Sequence, residues 1–298
     1  MQSICDKSPG QDWVTNALLF IAVTADVAFR WVFGQETNKD LLIALLNEFI
    51  PDRSITDIAL YKDTQIPFSK ELKKSVFDVS CRTGDGTYID VEVQVAGQST
   101  FADRCLYYSS FNIQGQIPEG AREYALKPVY VISIDNFIRR HGQGWEPDVL
   151  SSYSLREDST HELMTDTLHF IFVELPLFTK SWEELENDRE RFYFCLKHLH
   201  ELKHVPDSLK EGVFLKLAGQ AKLNAMSADV KRKYISNMTT EIDRSAQLLY
   251  AERKGREKGL AEGKAEAILE AAQKLKAAGV PIDIICQCTG LSREQVEG

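Results

Sequence analysis

Thr87–Tyr88–Ile89–Asp90–Val91–Glu92–Val93–Gln94–Val95 alternates polar and branched apolar residues. A period of two sends successive side chains to opposite faces of a strand. Asp90, Glu92 and Gln94 therefore share one face. Ile89, Val91, Val93 and Val95 take the other, where they can anchor a core. Just upstream, Ser75–Val76–Phe77–Asp78–Val79–Ser80–Cys81 reads as a second strand. Thr83–Gly84–Asp85–Gly86 offers two glycines for a tight reversal, so the pair is expected to form a β-hairpin that brings Asp78 close to Glu92. Two carboxylates converging beside the Gln94 amide supply the oxygen donors that a hard divalent cation prefers. Taken alone, polar residues alternating along one strand usually mean a solvated sheet face, and on that reading Asp90 is a solvated residue near a strand end.

Outward from the hairpin, the pattern over 13–50 is helical but interrupted. Asp26, Phe29, Arg30 and Phe33 share a face and Gly34 is a stop signal. Over 38–49, Leu41, Leu42, Leu45, Leu46 and Phe49 recur at core spacing ahead of Pro51. A short strand is expected over 55–61. Beyond the hairpin, 100–116 reads as a helix with Phe101, Arg104, Tyr107, Tyr108 and Phe111 largely on one side, a stripe that packing alone explains. Val129–Tyr130–Val131–Ile132–Ser133–Ile134 is the short apolar run of an interior strand covered on both faces. Further strands are expected over 150–155 and 169–174, closed by Pro176. The early order helix, strand, hairpin, helix, strand argues for a layered α/β domain. We therefore expect a core over 13–180, a charged helical region over 181–250 with breaks near Pro206 and Ser227, and a distinct tail over 251–298.

In the tail Gly255, Gly259 and Gly263 recur every four residues, flanked at the same spacing by Ala251, Ala267 and Ala271. Such a stripe lets helix backbones approach closely, yet each glycine costs a helix about 1 kcal/mol relative to alanine. Self-pairing into a homodimer or other homo-oligomer, or a flexible charged linker, both fit. The segment 279–296 has helix-turn-helix spacing, with Cys286 at the small-residue position, Gly290 at the turn and Val296 at the core position of the second helix. With barely two turns left for a recognition helix, a helical cap or dimer contact is the expectation rather than DNA reading.

The net charge of -9 does not advertise nucleic-acid binding, although local basic patches and bound metal offset an acidic average. The six cysteines show neither a CxxC pair nor zinc-ligand spacing, and fit reduced thiols. No run approaches the length of a membrane span, and the start lacks the basic region of a signal peptide, so a cytoplasmic protein is expected.

Asp78, the hairpin and Glu92–Val93–Gln94 resemble the D…(D/E)-x-K core of the PD-(D/E)XK nuclease superfamily, with Gln in place of Lys. Asp26–Val27–Ala28–Phe29–Arg30–Trp31–Val32–Phe33–Gly34, Leu45–Leu46–Asn47, Phe101–Ala102–Asp103–Arg104 with Tyr107–Tyr108, and Leu126–Lys127–Pro128–Val129 extend the likeness in order. So does the glycine-striped tail with Thr289–Gly290–Leu291–Ser292. More narrowly, these stretches are similar to the Rpn family of recombination-promoting nucleases, the PD-(D/E)XK family transposases.

The resemblance implies a three-layer α/β/α, restriction-endonuclease-like core around a short mixed sheet, followed by a helical C-terminal region. It implies Mg²⁺, with Mn²⁺ as substitute, on Asp78, Glu92 and the Val93 carbonyl. Gln94 would orient the attacking water, and Asp26 would contact the metal directly or through water. Arg104 and Lys127 would touch phosphate, Arg104 alternatively pairing with a core carboxylate. Gln94 lacks the charge of the superfamily Lys, and Arg30 stands where a Lys is expected after Phe29. The implied activity is a Mg²⁺-dependent endonuclease acting on double-stranded DNA with low sequence specificity and promoting recombination or mobile-element activity. A strand-transferring transposase and an inactive DNA- or partner-binding scaffold are the alternatives.

Overall fold

The computed structural model describes residues 19–61, 77–97, 101–120 and 122–297. Within them β1 (Ile58–Leu60), β2 (Val79–Thr83), β3 (Tyr88–Gln94), β4 (Val129–Asp135), β5 (Leu150–Ser154) and β6 (Leu168–Glu174) form one mixed sheet in the order β1-β2-β3-β4-β6-β5. β3, β4 and β6 run parallel at its centre, while β1, β2 and β5 are antiparallel additions. The β2–β3 hairpin forms as expected, with Val79 opposite Val91 and Cys81 opposite Ile89. Gly86, at φ 93°, closes its turn in a conformation that side chains rarely adopt.

β2 lies later in the chain than its residue pattern suggests. It starts at Val79 and runs on to Thr83, because Thr83 and Thr87 continue the ladder to the turn. Asp78 thus sits just before the strand rather than within it. Residues 75 and 76 of the expected strand, and 13–18 of the expected first helix, lie outside the described residues.

All seven residues of β4 are buried, as an interior strand covered on both faces requires. One face carries Asp90, Glu92 and Gln94 of β3, in register with Val131, Ser133 and Asp135 of β4. Helix α3 (Phe101–Gln114) packs here, its Phe101 and Cys105 joining Phe77, Val131 and Phe172 in one apolar cluster. Ile89, Val91, Ile132 and Ile134 point to the opposite face and are fully buried. Helices α1 (Asp26–Phe33) and α2 (Lys39–Phe49) build the layer on that side, Gly34 at the end of α1 lying against Val79. α4 (Asp188–His198) and α5 (Gly212–Gln220) pack against α2. Leu41, Leu42, Leu45, Leu46 and Phe49 of α2 are all buried, as their spacing anticipates. The free thiols Cys81, Cys105 and Cys195 are buried on β2, α3 and α4. Burial pushes those of Cys81 and Cys105 up to about 12.

Asp90 corrects a sequence expectation. It is buried, not solvated: Ser80 Oγ donates to it at 2.6 Å, and the Asn112 amide donates from α3. Burial pushes its carboxyl up to about 7, against the pull of those two donors.

The chain divides into two compact units, up to Asn237 and from Met238. Helix α6 (Ala228–Ala277) continues through Gly255, Gly259 and Gly263. The glycine stripe is therefore helical, not the flexible linker that its composition also allowed. In the second unit, α7 (Ile282–Thr289) and α8 (Arg293–Glu297) fold back so that Ile285 and Val296 bury against Ala272. Gly290 ends α7 in the left-handed region, at φ 73°. Lys276 Nζ donates to the Val296 and Glu297 carbonyls, satisfying the end of α8. Cys286 packs on this small core whereas Cys288 is exposed.

Candidate active site

The hairpin brings its acids together through its register. Because Val79 pairs with Val91, Asp78 falls beside Glu92 and Val93, where β2 has not yet begun. Asp78 Oδ2 accepts a hydrogen bond from the Val93 N–H at 2.8 Å, so the side chain continues the ladder that the strand lacks. Its Oδ1 accepts from Arg30 Nε at 3.2 Å, with Arg30 Nη2 at 3.1 Å. Arg30 stands one turn after Asp26 at the start of α1. From the opposite face-covering helix, Arg104 Nη2 donates to Glu92 Oε1 and to Gln94 Oε1, each at 2.8 Å. Gln94 Nε2 donates to the Ala96 carbonyl at 3.1 Å.

The electrostatics are those of crowded acids. Burial pushes the Asp78 carboxyl up to about 6, and the neighbouring Asp26 charge adds to the rise against the Val93 N–H and Arg30. Burial pushes Glu92 up to about 8, reinforced by Asp78 and opposed by Arg104. Asp26 on α1, Asp78 just before β2 and Glu92 on β3 thus share one field.

Of the residues singled out from sequence, hydrogen bonds and register gather Asp78, Glu92, Val93, Gln94 and Arg104, while Asp26 is linked to them through its charge, felt at Asp78 and Glu92. The structure does not bring Lys127 to them. Lys127 precedes β4 by two residues, and Val129 faces Tyr88 while Ser133 faces Glu92. That four-residue offset along a strand is roughly 13 Å. Lys127 lies instead against the Gly86 turn.

Arg30 is a site residue that sequence reading set aside. Its signals were its place where a Lys is expected after Phe29 and a cation one helical turn from Asp26; its bond to Asp78 spans 48 residues and is invisible to local pattern. A second group also escaped notice. Asp135 lies beside Gln94 in register, and Glu174 beside Asp135. Both are fully buried around Arg139, whose guanidinium lies 3.7 Å over the Phe172 ring. His141 approaches Glu174 at 2.9 Å.

A mixed sheet whose central parallel strands deliver acids at their C-terminal ends defines an α/β protein with its polar centre at those ends. The chain belongs to the PD-(D/E)XK nuclease family transposases, whose family model matches residues 23–251. No curated protein and no solved structure matches it.

The raised carboxyls have a consequence for stability. Because Asp78 and Glu92 hold protons more tightly folded than unfolded, their contribution is fully present below their unfolded values and is lost as pH rises through about 6 and about 8. Glu92→Gln removes the larger part of that loss. Without metal, the variant is expected to be more stable than wild type at pH 8.5 by about 2 kcal/mol, the gap closing toward pH 5. Thermal melts at the two pH values check it, and a constant gap across the range would contradict the assignment.

Proposed function

We propose that this chain is a Mg²⁺-dependent endonuclease acting on double-stranded DNA with low sequence specificity, centred on Asp78, Glu92 and the Val93 carbonyl. The observation that carries the reading is the carboxylate pair at the open end of the hairpin, Asp78 buried and Glu92 partly buried, with the Asp78 charge working against that of Glu92. An all-oxygen donor set whose charges penalise each other fits a hard cation, which would offset both penalties. Among the described residues, no cluster of three or more His, Cys, Asp or Glu side chains has metal-holding geometry. Mg²⁺ keeps several waters and needs only one or two protein carboxylates beside a substrate phosphate. Mn²⁺ takes the same donors.

Bound there, the ion supplies Lewis-acid polarisation of the phosphate and a more acidic water. The remaining work falls to the chain's own residues. Val93 uses its N–H to fix one Asp78 oxygen, and its carbonyl opens on that same edge of β3, beyond the start of β2. Arg30 holds the other Asp78 oxygen and, being 44% exposed along its side chain, can reach phosphate. Asp26 acts through water or directly on the same centre. Gln94, with both ends of its amide engaged, anchors Arg104 more readily than it orients a water.

The family membership supports nuclease or transposase chemistry and DNA as substrate. The transposase in the family's description also favours strand transfer, which shares the metal chemistry and would yield joined rather than merely nicked products. Breaks of either kind would promote recombination or mobile-element activity. We further propose that the 251–298 region, with its exposed Leu260 and Ile268 on α6, joins copies of the chain into a homo-oligomer.

The test is nicking of supercoiled plasmid with Mg²⁺ and with EDTA. Metal-dependent relaxation is the expected result. An intact plasmid after incubation with folded protein would leave the inactive scaffold as the better reading.

A further inference from the structure

The inference rests on the nuclease reading and concerns how the site obtains positive charge. β3 presents an acid and an amide to it, Glu92 and Gln94, and no cation. Cleavage of a phosphodiester builds negative charge on the phosphate and the departing oxygen, and fixed cations stabilise it best where water is excluded. Arg30 bonds Asp78 on one side of the centre, and Lys127 lies at the far end of the strands. Arg104 alone among these touches position 94.

Its geometry is specific. One nitrogen, Nη2, is shared at 2.8 Å between Glu92 and Gln94. The guanidinium lies 4.9 Å over the Phe101 ring, which stacks edge-on against Phe172 in the core. A planar cation held at its edge by two strand side chains and beneath by an aromatic face keeps one orientation. Thirty per cent of its side chain is exposed.

We propose that Arg104 supplies, from the helix, the positive charge that β3 does not carry, delivering it to the place of the Gln94 amide beside the reacting phosphate. The charge is then portable: a lysine at position 94 should partly stand in for an arginine at position 104.

The experiment compares plasmid nicking by wild type, Arg104→Gln, Gln94→Lys with Arg104→Gln, Arg104→Lys and Arg104→Met. Anisotropy of a labelled duplex in EDTA and thermal melts accompany each. Arg104→Gln should lose about a hundredfold in nicking. The double variant should recover at least about tenfold of that, with duplex affinity restored in parallel. Arg104→Lys should keep more activity than Arg104→Met, although methionine better preserves the apolar packing. A double variant no better than Arg104→Gln, or a methionine variant as active as the lysine one, would overturn the proposal and leave Arg104 a brace between helix and strand. If folded wild type does not nick DNA, the nuclease reading falls and takes this inference with it. An active wild type without rescue removes the inference alone.

Discussion

Glu92→Ala is expected to reduce metal-dependent nicking by about a thousandfold or more, to the background of the assay, while leaving a folded protein. The size of the effect follows from what the side chain is asked to do. The centre has only two carboxylates from the hairpin, so losing one removes half of the charged donors proposed to hold the ion. It also releases Arg104 from one of its two strand partners. The fold should tolerate the change, because a carboxylate pushed up to about 8 contributes no stability in its ionised form. Residual nicking equal to wild type in parallel preparations would point to a contaminant and sink the ligand assignment. Asp78→Asn provides the companion result. It keeps an acceptor for the Val93 N–H and so the ladder extension, but loses the charge.

Glu174→Ala carries the largest expected effect on stability. Glu174 is fully buried at the end of β6, where it accepts from the Arg139 backbone N–H and approaches His141 at 2.9 Å. Arg139 Nη2 lies 3.6 Å from it. Truncation leaves these groups facing a void, with Asp135 the remaining acid near the guanidinium at 3.7 Å. Breaking a buried ionic group by removing one partner typically costs about 3–5 kcal/mol, and urea unfolding should report a loss in that range. A loss below about 1 kcal/mol would mean that Asp135 and solvent replace Glu174 almost completely. The substitution also loosens the segment after β4, which Glu174 ties down through Arg139 and His141.

Much of the centre was legible because its signals are local. The hairpin needed only alternation and two glycines, β4 only a short apolar run, α2 only leucines at helical spacing. The acid pair followed from them. What stayed hidden depends on distant partners. Asp90 looks solvated within its own strand, since nothing in 87–95 announces that Asn112, 22 residues on, will cover it. The placement of β2 was shifted because Val76 and Phe77 share the strand-like composition of Val79 and Cys81. Only the pairing with β3 decides where the ladder begins. Lys127 lies near the apolar run in sequence, but strand direction carries it away from the acids. Gly255, Gly259 and Gly263 lower helix propensity without breaking the helix, since propensity is a weak prior that context overrides.

The buried thiols make a last point about this architecture. Cys81 lies in the sheet, Cys105 in the helix covering the acids and Cys195 in the layer behind α2. Only a thiolate attacks an electrophile, and burial holds all three as protonated thiols. Each layer therefore carries its own silent chemical tag, reactive only while that layer is open. Alkylation of Cys105, which feels the Glu92 charge, becomes a time stamp for separation of α3 from the site, recorded covalently and without any introduced label.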